Sequence, residues 1–189
     1  CEILGKSGKE PHLVLKNIHE KYYLGGVIAI AKNLAPLCKS VKVISVLGEK
    51  KEYLNFIRKK LPNNIKLDLI YKKNSSTICK TRFVDETNKY KILGVYDVDD
   101  KNLILKEEKI LRKKIIQNIS KNKIVIVSDY GHGMISKKSA NLICKKSNFL
   151  ALNAQVNASN IGYHTIRNYK NFNTLIINEK EIRHEMRDK

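Results

Sequence analysis

The sequence contains no tryptophan, only three prolines, and no apolar run that approaches the length of a membrane span. A transmembrane helix needs about 20 consecutive apolar residues, so we expect no membrane partner. The four cysteines are far apart and form no C-x-x-C pair, and the five histidines lack metal-ligand spacing. This spacing argues against a structural metal site and a disulfide framework, and it predicts free thiols in a reducing cytoplasm.

Leader and nucleotide-binding signatures are also missing. The first residues do not combine a basic segment with an apolar one, as a secretory signal does. Because the chain begins with Cys1 and not Met, we expect the natural chain to start upstream. The segment Gly5-Lys6-Ser7 lacks the first glycine of a P-loop and is followed by Gly8 and Pro11, so we predict an ordinary polar turn. No G-x-G-x-x-G follows a predicted strand, which argues against a dinucleotide oxidoreductase.

Acidic residues are few, and the formal net charge of +19 would ordinarily suggest a nucleic-acid partner. However, arginine accounts for only six of the 37 basic residues, and base readout depends mainly on arginine. The lysines occur as pairs on predicted helix faces, without interleaved aromatic residues. We therefore attribute the charge mainly to compositional bias and expect scattered lysines, with no basic stripe lined by aromatic side chains. Some of this positive charge could still attract an anionic substrate.

With 189 residues and a 42% hydrophobic fraction, the chain can form one core-bearing domain. Periodicity predicts alternating strands and helices, which indicates an α/β fold with a mostly parallel, doubly wound (Rossmann-like) sheet flanked by helices. The predicted strands are 12–19, 41–47, 65–71, 78–84, 90–95, 124–128, 149–152 and 174–177. The predicted helices follow Gly25-Gly26, span 49–61 and 103–120, run from the Ser136 N-cap to Lys146, and start again at Asn178. We expect 41–47, 124–128, 149–152 and 174–177 to share one sheet, with 124–128 buried and 78–84 and 90–95 outside its centre.

Three short motifs each have a structural and a functional interpretation. Gly25-Gly26 is either a simple turn or a place where a ligand can approach backbone amides at a helix start. The loop Asp129-Tyr130-Gly131-His132-Gly133 is either a glycine-rich connection or a ligand site at the carboxyl end of a strand. Asn178-Glu179-Lys180-Glu181 is either a helix cap or a pair of side chains for Mg²⁺ and nucleotide phosphates.

The order of these motifs along the chain is more specific than any one of them. The blocks YLGGVIAIAKNLAPLCKSVKVISVLGE, STICKTRFVD, IVIVSDYGHGMISKKSA, LNAQVNASNIGYHTI and IINEKEIR together resemble the ribokinase-like (PfkB-type) carbohydrate kinases. Within that family, the sequence is most similar to the heptose-phosphate kinase branch, whose members often occur beside a nucleotidyltransferase. The resemblance extends from about Gly25 to the end of the chain.

The resemblance implies an ATP- and Mg²⁺-dependent phosphotransferase acting on a sugar or sugar phosphate. It implies one partial kinase domain over 1–189, with a small β lid formed by about 12–19 and 78–95, and a homodimer formed through that lid. The substrate would contact Gly25, Gly26, Lys80, Arg82 and Asp129. The nucleotide and Mg²⁺ would be handled by Asn178 and Glu181, with Glu181 acting indirectly on the metal.

Three departures from the family pattern bear on activity. Ala29 stands where the family commonly has Asn, His132 replaces the lysine of D-Y-x-K-G, and no G-A-G-D block precedes Lys189. That block supplies the anion hole and the catalytic base, so we expect the base beyond Lys189 and an inactive isolated chain. The alternative is a degenerate, kinase-like or basic module that binds polyanions without catalysis. If the kinase hypothesis holds, we expect the glycine pair, Asp129 and the Asn178–Glu181 pair to converge around one cleft.

Overall fold

A computed structural model describes residues 1–155 and 166–186. Within these residues the fold is α/β, as the sequence predicts, and it is not a barrel. The strands are Glu2–Lys6 (β1), Leu13–Lys16 (β2), Val41–Gly48 (β3), Ile65–Lys72 (β4), Cys79–Val84 (β5), Lys91–Asp97 (β6), Val125–Asp129 (β7), Leu150–Ala154 (β8) and Thr174–Leu175 (β9). The α-helices are Gly26–Leu34 (α1), Leu54–Lys60 (α2), Leu105–Ile119 (α3), Lys137–Lys146 (α4) and Glu179–Met186 (α5).

The central strands are parallel, but our prediction that they form a single sheet was wrong. β3 pairs with β4, and β7 pairs with β8, which pairs with β9. Among the described residues, no strand pairing joins these two groups. Side chains join them instead, since Ile44 and Val46 of β3 pack against the cluster that contains Val127 of β7.

Two apolar clusters follow from these pairings. In the first, Leu111, Ile115 and Ile119 lie on one face of α3, four residues apart, and pack with Leu150 and Leu152 of β8. The second joins α1 and α2 to β3 and β4. Burying one such aliphatic side chain stabilises the fold by about 1.5–3 kcal/mol. These helices therefore hold the strands in place, and with them the loops at the strand ends.

Strand β7 is less buried than its unbroken apolar sequence suggests. The flanking Ile124 is 61% exposed and Ile126 is 40% exposed, whereas Val127 is 5% exposed. Side chains alternate across a strand, and the described residues cover fully only the face of β7 that carries Val127. The expectation of burial on both faces was therefore wrong for the part of the chain that the structure describes.

Helix α2 begins five residues later than the pattern predicts. Lys51 and Tyr53 have φ values of 59° and 63°, in the left-handed region. A right-handed helix cannot include residues in this conformation, so residues 49–53 form a turn and the helix starts at Leu54.

Two antiparallel hairpins lie outside the parallel strands. The first pairs β1 with β2, and the second pairs β5 with β6. The second hairpin and the strand within 12–19 were predicted, but β1 was missed because its last two residues, Gly5 and Lys6, lie inside the predicted turn at 5–11. The amino group of Cys1 donates to the Val84 carbonyl oxygen at 3.0 Å, and this contact ties the two hairpins together.

No helix in the described ranges is both long enough and apolar enough to cross a bilayer. All four cysteines, Cys1, Cys38, Cys79 and Cys144, are free thiols.

Candidate functional site

The carboxyl ends of β7, β8 and β9 lie at one edge of their sheet because the three strands run parallel. Asp129 pairs in register with Ala154, and Leu152 pairs with Leu175. Asn178 follows the end of β9 by three residues. The topology therefore brings the loop after β7 and the start of α5 to the same edge, where ligands bind in open α/β sheets.

The first candidate residue at this edge, Asp129, is held by the protein itself. Its side chain is buried, with Oδ1 accepting a bond from the Gly131 amide at 3.0 Å and Oδ2 accepting one from the Tyr169 hydroxyl at 2.7 Å. Burial, together with the neighbouring Asp129 carboxylate, raises the pKa of Tyr169 far above its usual range. Tyr169 is therefore a permanent neutral donor to Asp129.

Sequence reasoning missed Tyr169, and no local pattern in RNYKNFN could have identified it. Tyr169 lies 40 residues from Asp129 in the chain, in an irregular segment. This segment is also fixed to α5, because the Glu185 carboxylate accepts a bond from the Ile166 amide at 3.3 Å and pairs with Arg167. Contacts thus connect α5 to the loop after β7.

The glycine pair lies at the start of α1, as predicted. Gly25 precedes the helix with an extended conformation, and Gly26 has φ of 54°, which favours glycine. A Cβ atom added to Gly26 would lie 3.7 Å from the Tyr130 ring, while one added to Gly25 would meet no atom of the described residues within 4 Å. The structure therefore places Gly26 beside the loop after β7, and within the described part of the chain the space beside Gly25 is open.

The same loop contacts the second hairpin through His132. The His132 ring nitrogen Nε2 lies 3.3 Å from the Lys80 ammonium, and Nδ1 lies 2.5 Å from the Asp100 carboxylate. These residues come from three separate places: the loop after β7, strand β5 and the segment after β6. The sequence identified Lys80 as a site residue and His132 only as a departure from the family, so Asp100 was missed.

Arg82 lies on the same face of β5 as Lys80, two residues along the strand. Both cations sit over the Tyr96 ring, with Lys80 Nζ at 5.4 Å and the Arg82 guanidinium at 5.5 Å from its centre. Such contacts stabilise a partly exposed cation by about 0.5–1 kcal/mol. Tyr96 therefore holds two positive side chains on one side of the hairpin.

The Asn178–Glu181 pair forms a reciprocal helix cap. The Asn178 side-chain oxygen accepts a bond from the Glu181 amide at 2.9 Å, and Glu181 Oε2 accepts one from the Asn178 amide at 3.2 Å. This is the capping-box arrangement. The Glu181 side chain is 6% exposed. The structural interpretation of this motif is therefore sufficient to explain its residues.

Tyr130 lies beside Gly26, and His132 contacts Lys80, whereas Asn178 and Glu181 share only the sheet edge with these residues. The block that spans 152–166 lies largely outside the described residues. Within the described ranges, no group of three or more His, Cys, Asp or Glu side chains could hold a metal ion. Asp129 and Glu181 are the buried carboxylates at this edge.

Comparison with known proteins relates the chain to sugar kinases at low identity. No family model matches it. It is 33% identical over 125 residues to a protein named "Uncharacterized sugar kinase" from Buchnera aphidicola subsp. Schizaphis graminum, covering 65% of this chain and 38% of that protein. It is 31% identical over 182 residues to "Bifunctional protein HldE" from Aliarcobacter butzleri, covering 93% of this chain and 36% of that protein.

A protein of the same name from Campylobacter jejuni is 27% identical over 150 residues, covering 79% of this chain and 31% of that protein. The chain thus spans a little over a third of the length of the first two relatives and 31% of the third. The match with the Aliarcobacter butzleri protein therefore covers nearly the whole of this chain, and the other two matches cover 65% and 79% of it, while the chain matches only part of each relative.

Proposed function

We propose that this chain is part of a carbohydrate kinase that transfers the γ-phosphoryl group of ATP to a hydroxyl of a sugar or sugar phosphate, with a heptose phosphate as the favoured substrate class. The observation that supports this best is the position of one loop. In the loop after β7, Tyr130 lies beside Gly26 of α1, and His132 contacts Lys80 of the second hairpin. This arrangement of residues distant in sequence supports a ligand site at the end of the parallel strands. The sugar kinase names of the relatives support the same assignment.

In this proposal, the backbone at Gly25 and Gly26 lets the sugar approach the start of α1, where the amide groups face a polar ligand. Lys80 and Arg82 supply positive charge from the hairpin. Asp129 acts by holding the loop in position, because both of its oxygens accept hydrogen bonds from protein groups. Catalysis of phosphoryl transfer is mostly positioning and charge stabilisation. These roles therefore matter even though the protein forms no covalent bond to the substrate.

Asn178 and Glu181 are the residues that would handle Mg²⁺ and the nucleotide phosphates. Glu181 Oε2 carries the capping bond, so the other oxygen is the one suited to a water molecule of the hydrated ion. Nucleotide-bound Mg²⁺ needs only one or two carboxylates, so a single buried glutamate fits an indirect role. When bound, the ion would neutralise charge on the phosphates. We assign no catalytic base within residues 1–189.

The hairpins support the proposal of a homodimer formed through the lid. Leu4, Leu13, Leu93 and Val95 are each more than half exposed, on both hairpins. Exposed apolar patches of this kind mark interaction surfaces, and a second copy of the chain is the occupant that we propose. A fused or separate nucleotidyltransferase is the second proposed partner, on the basis of the relatives named bifunctional. We propose a cytoplasmic location, where ATP and free thiols are both expected.

Amide chemical shifts provide the direct test of the sugar site, because the chain has only nine glycines. On addition of a hexose 6-phosphate to the ¹⁵N-labelled chain, the amides of Gly25, Gly26 and Gly131 should shift. Gly5 and Gly8 lie in the first hairpin and should not shift, which makes them internal controls. Equal shifts at all glycines, or none at any with both sugars and sugar phosphates, would contradict the proposal.

Turnover tests the assignment of the base. The 189-residue chain should bind a sugar phosphate weakly and show no ATP-dependent phosphorylation by ³¹P NMR, because a missing base and anion hole each reduce the rate by orders of magnitude. Robust phosphorylation by this chain would show that the catalytic machinery lies within residues 1–189.

A second candidate function, binding of a polyanion, is favoured by one groove. Helices α3 and α4 border a groove of about 550 Å³ that is lined by five cations: Lys109, Arg112, Lys113, Lys138 and Lys145. The charge is thus more clustered here than we expected, although no aromatic side chain among the described residues lines the groove. Affinity for a DNA duplex that falls steeply with salt, and falls further in a Lys138→Ala/Lys145→Ala variant, would establish this function. Equal losses in a Lys59→Ala/Lys60→Ala control on α2 would indicate nonspecific attraction only.

A further inference from the structure

The groove between α3 and α4 is formed by one face of each helix. Its lining residues occupy positions i, i+3, i+4 and i+7, beginning at Lys109 on α3 and at Lys138 on α4. Ile116 and Leu142 are the apolar residues of the lining, and Ile116 is 53% exposed. This surface, which we call the α3–α4 groove, therefore combines exposed apolar area with five cations.

The cations of the α3–α4 groove have no carboxylate partner among the described residues. Lys114 of the same helix does not line the groove, and it pairs with Asp68 of β4. The carboxylates of α3 are also engaged elsewhere, since Glu107 accepts bonds from two backbone amides and Glu108 accepts one from the Ser136 hydroxyl. Helix α4 contains no acidic residue. The like charges of the groove repel one another, and an anionic partner would relieve that repulsion.

Arg112 adds an unsatisfied donor to the α3–α4 groove. Its Nε atom is buried and has no hydrogen-bond partner within the described residues. A buried donor without an acceptor is costly, and arginine binds carboxylates through two parallel N–H groups. A carboxylate that enters the groove would supply the missing acceptor once the guanidinium rotates to expose Nε.

The two helices are held together without any ligand. The Ser136 hydroxyl, at the start of α4, donates to the Glu108 carboxylate of α3. Leu111 of α3 and Ile143 of α4 belong to the same buried cluster. A preformed groove reduces the cost of ordering on binding, so the α3–α4 groove is suited to a partner that docks on it as it stands.

The lining also distinguishes between classes of anionic partner. Single-stranded nucleic acids stack their bases on aromatic rings, and no aromatic side chain of the described residues lines the groove. A phosphate backbone would leave Ile116 and Leu142 without an apolar contact. An amphipathic helix instead places its apolar face in such a groove. From Lys109 to Gln117 the groove extends about 12 Å, which is the length of roughly two helical turns.

A second copy of this chain does not match the charge of the α3–α4 groove. The chain has 37 basic and only 18 acidic residues. Three of the four residues at 97–100 are acidic, but Asp97, Asp99 and Asp100 are all engaged by polar side chains of their own copy. Charge complementarity therefore favours a partner of different sequence.

We propose that the α3–α4 groove is a docking site for an acidic amphipathic helix of a partner protein. Apolar residues of that helix contact Ile116 and Leu142, and its carboxylates pair with the surrounding cations. The inference goes beyond the proposed kinase function and does not depend on it. It narrows the second candidate function from polyanions in general to a protein ligand.

Two labelled peptides of equal composition test the match between groove and helix. Each contains only alanine, glutamate and leucine and is about 15 residues long, which is enough for a helix. In the first peptide the leucines lie on one face with glutamates beside them, and in the second they are spread around the helix. At about 0.15 M salt, fluorescence anisotropy should show about tenfold tighter binding of the first peptide to the 189-residue chain.

A pair of variants on α3 tests the apolar contact. Ile116→Gln should weaken binding of the first peptide about tenfold, because it removes part of the buried apolar area. Ile110→Gln is the matched control, since Ile110 is 40% exposed on the same helix but does not line the groove. The control should retain the parent affinity. Dispersed amide spectra establish that each variant is folded.

A second pair of variants tests the position of the charge. Lys138→Ala/Lys145→Ala removes two cations of the groove and should weaken the first peptide more than Lys59→Ala/Lys60→Ala on α2, which removes two cations elsewhere. Equal losses in the two variants would show attraction by net charge alone and would contradict the inference.

Three further outcomes would overturn the inference. These are equal affinity for the two peptides, unchanged affinity in Ile116→Gln, and no binding of either peptide. Tighter binding of a DNA duplex at the same salt, unaffected by Ile116→Gln, would also overturn it and would assign the groove to nucleic acid. The response of glycine amides to a hexose 6-phosphate tests the kinase function separately, so either proposal can fail while the other stands.

Discussion

The loop after β7 and the start of α5 both carry predicted site residues at one sheet edge, but their side chains contact different partners. In the loop, Asp129 bonds to Tyr169 and His132 bonds to Lys80 and Asp100, all from other elements. At the start of α5, Asn178 and Glu181 bond to each other. Long-range contacts need a reason beyond local folding, whereas a reciprocal cap needs none. The loop is therefore the stronger indication of function.

The largest expected effect comes from Gly133, which fixes the path of the loop beside His132. Gly133 has φ of 74°, and a Cβ atom there would overlap with the Lys101 carbonyl oxygen. Gly133→Ala should lower the free energy of unfolding by about 3 kcal/mol, measured by urea denaturation. Gly8→Ala, where an added Cβ meets nothing within 4 Å, is the control. Equal stability of the two variants would mean that the loop is not held in this conformation.

The next effect tests the bond that holds Asp129. Tyr169→Phe removes the hydroxyl that donates to the buried Asp129 carboxylate and should cost about 2 kcal/mol. Tyr23→Phe, at a ring that is 78% exposed, should cost nothing measurable. A loss no larger than that of the control would show that Asp129 does not depend on Tyr169.

The same pair predicts how stability changes at high pH. The pKa of Tyr169 is raised by burial and by Asp129, so the folded chain keeps a proton that the unfolded chain releases above about pH 10. Stability should therefore be full below pH 10 and fall as pH rises beyond it. The fall between pH 9.5 and 11 should be shallower in Tyr169→Phe, and identical slopes would rule out this linkage.

Local features of the fold were predictable, and distant contacts were not. Ser136 caps α4 by accepting a bond from the Ser139 amide at 3.2 Å, as the spacing indicates. Such a cap lies within four consecutive residues, Ser136–Ser139. The Lys80–His132 contact joins residues 52 positions apart, and sequence periodicity contains no information about it. The resemblance brought Lys80 into the predicted site, but the partner of Lys80 and the contact of Tyr169 with Asp129 depend on the packed fold.

The exposure of β7 has a related cause. An unbroken apolar run predicts a strand, and the strand is present, but the run does not indicate how many layers cover it. Ile126 is 40% exposed because covering its face requires other elements, whose position no local pattern encodes. Strand existence was therefore predictable, while strand burial was not.

The smallest expected effect on stability distinguishes a capping role of Glu181 from a role in handling Mg²⁺ at the start of α5. Glutamine serves as well as glutamate at the third position of a capping box, and its side-chain oxygen can accept the Asn178 amide bond in place of Glu181 Oε2. Glu181→Gln should therefore change the free energy of unfolding by less than about 0.5 kcal/mol. Asn178→Ala, which removes the cap, should cost about 1 kcal/mol.

Loss of the Glu181 charge matters only if this residue handles the metal. Under the proposed function, Glu181→Gln should weaken binding of MgATP and shift its dependence to higher Mg²⁺ concentration, because an amide attracts hydrated Mg²⁺ less than a carboxylate does. Binding of a hexose 6-phosphate should remain within about twofold, since Gly25, Gly26 and Lys80 lie on other elements. Calorimetric titrations of MgATP at two Mg²⁺ concentrations, for Glu181→Gln and for Glu179→Gln as the matched control, provide the measurement. Unchanged MgATP binding in a stable Glu181→Gln variant would show that this motif is only a helix cap. The loop after β7 would then be the one of the two regions with an indication of function.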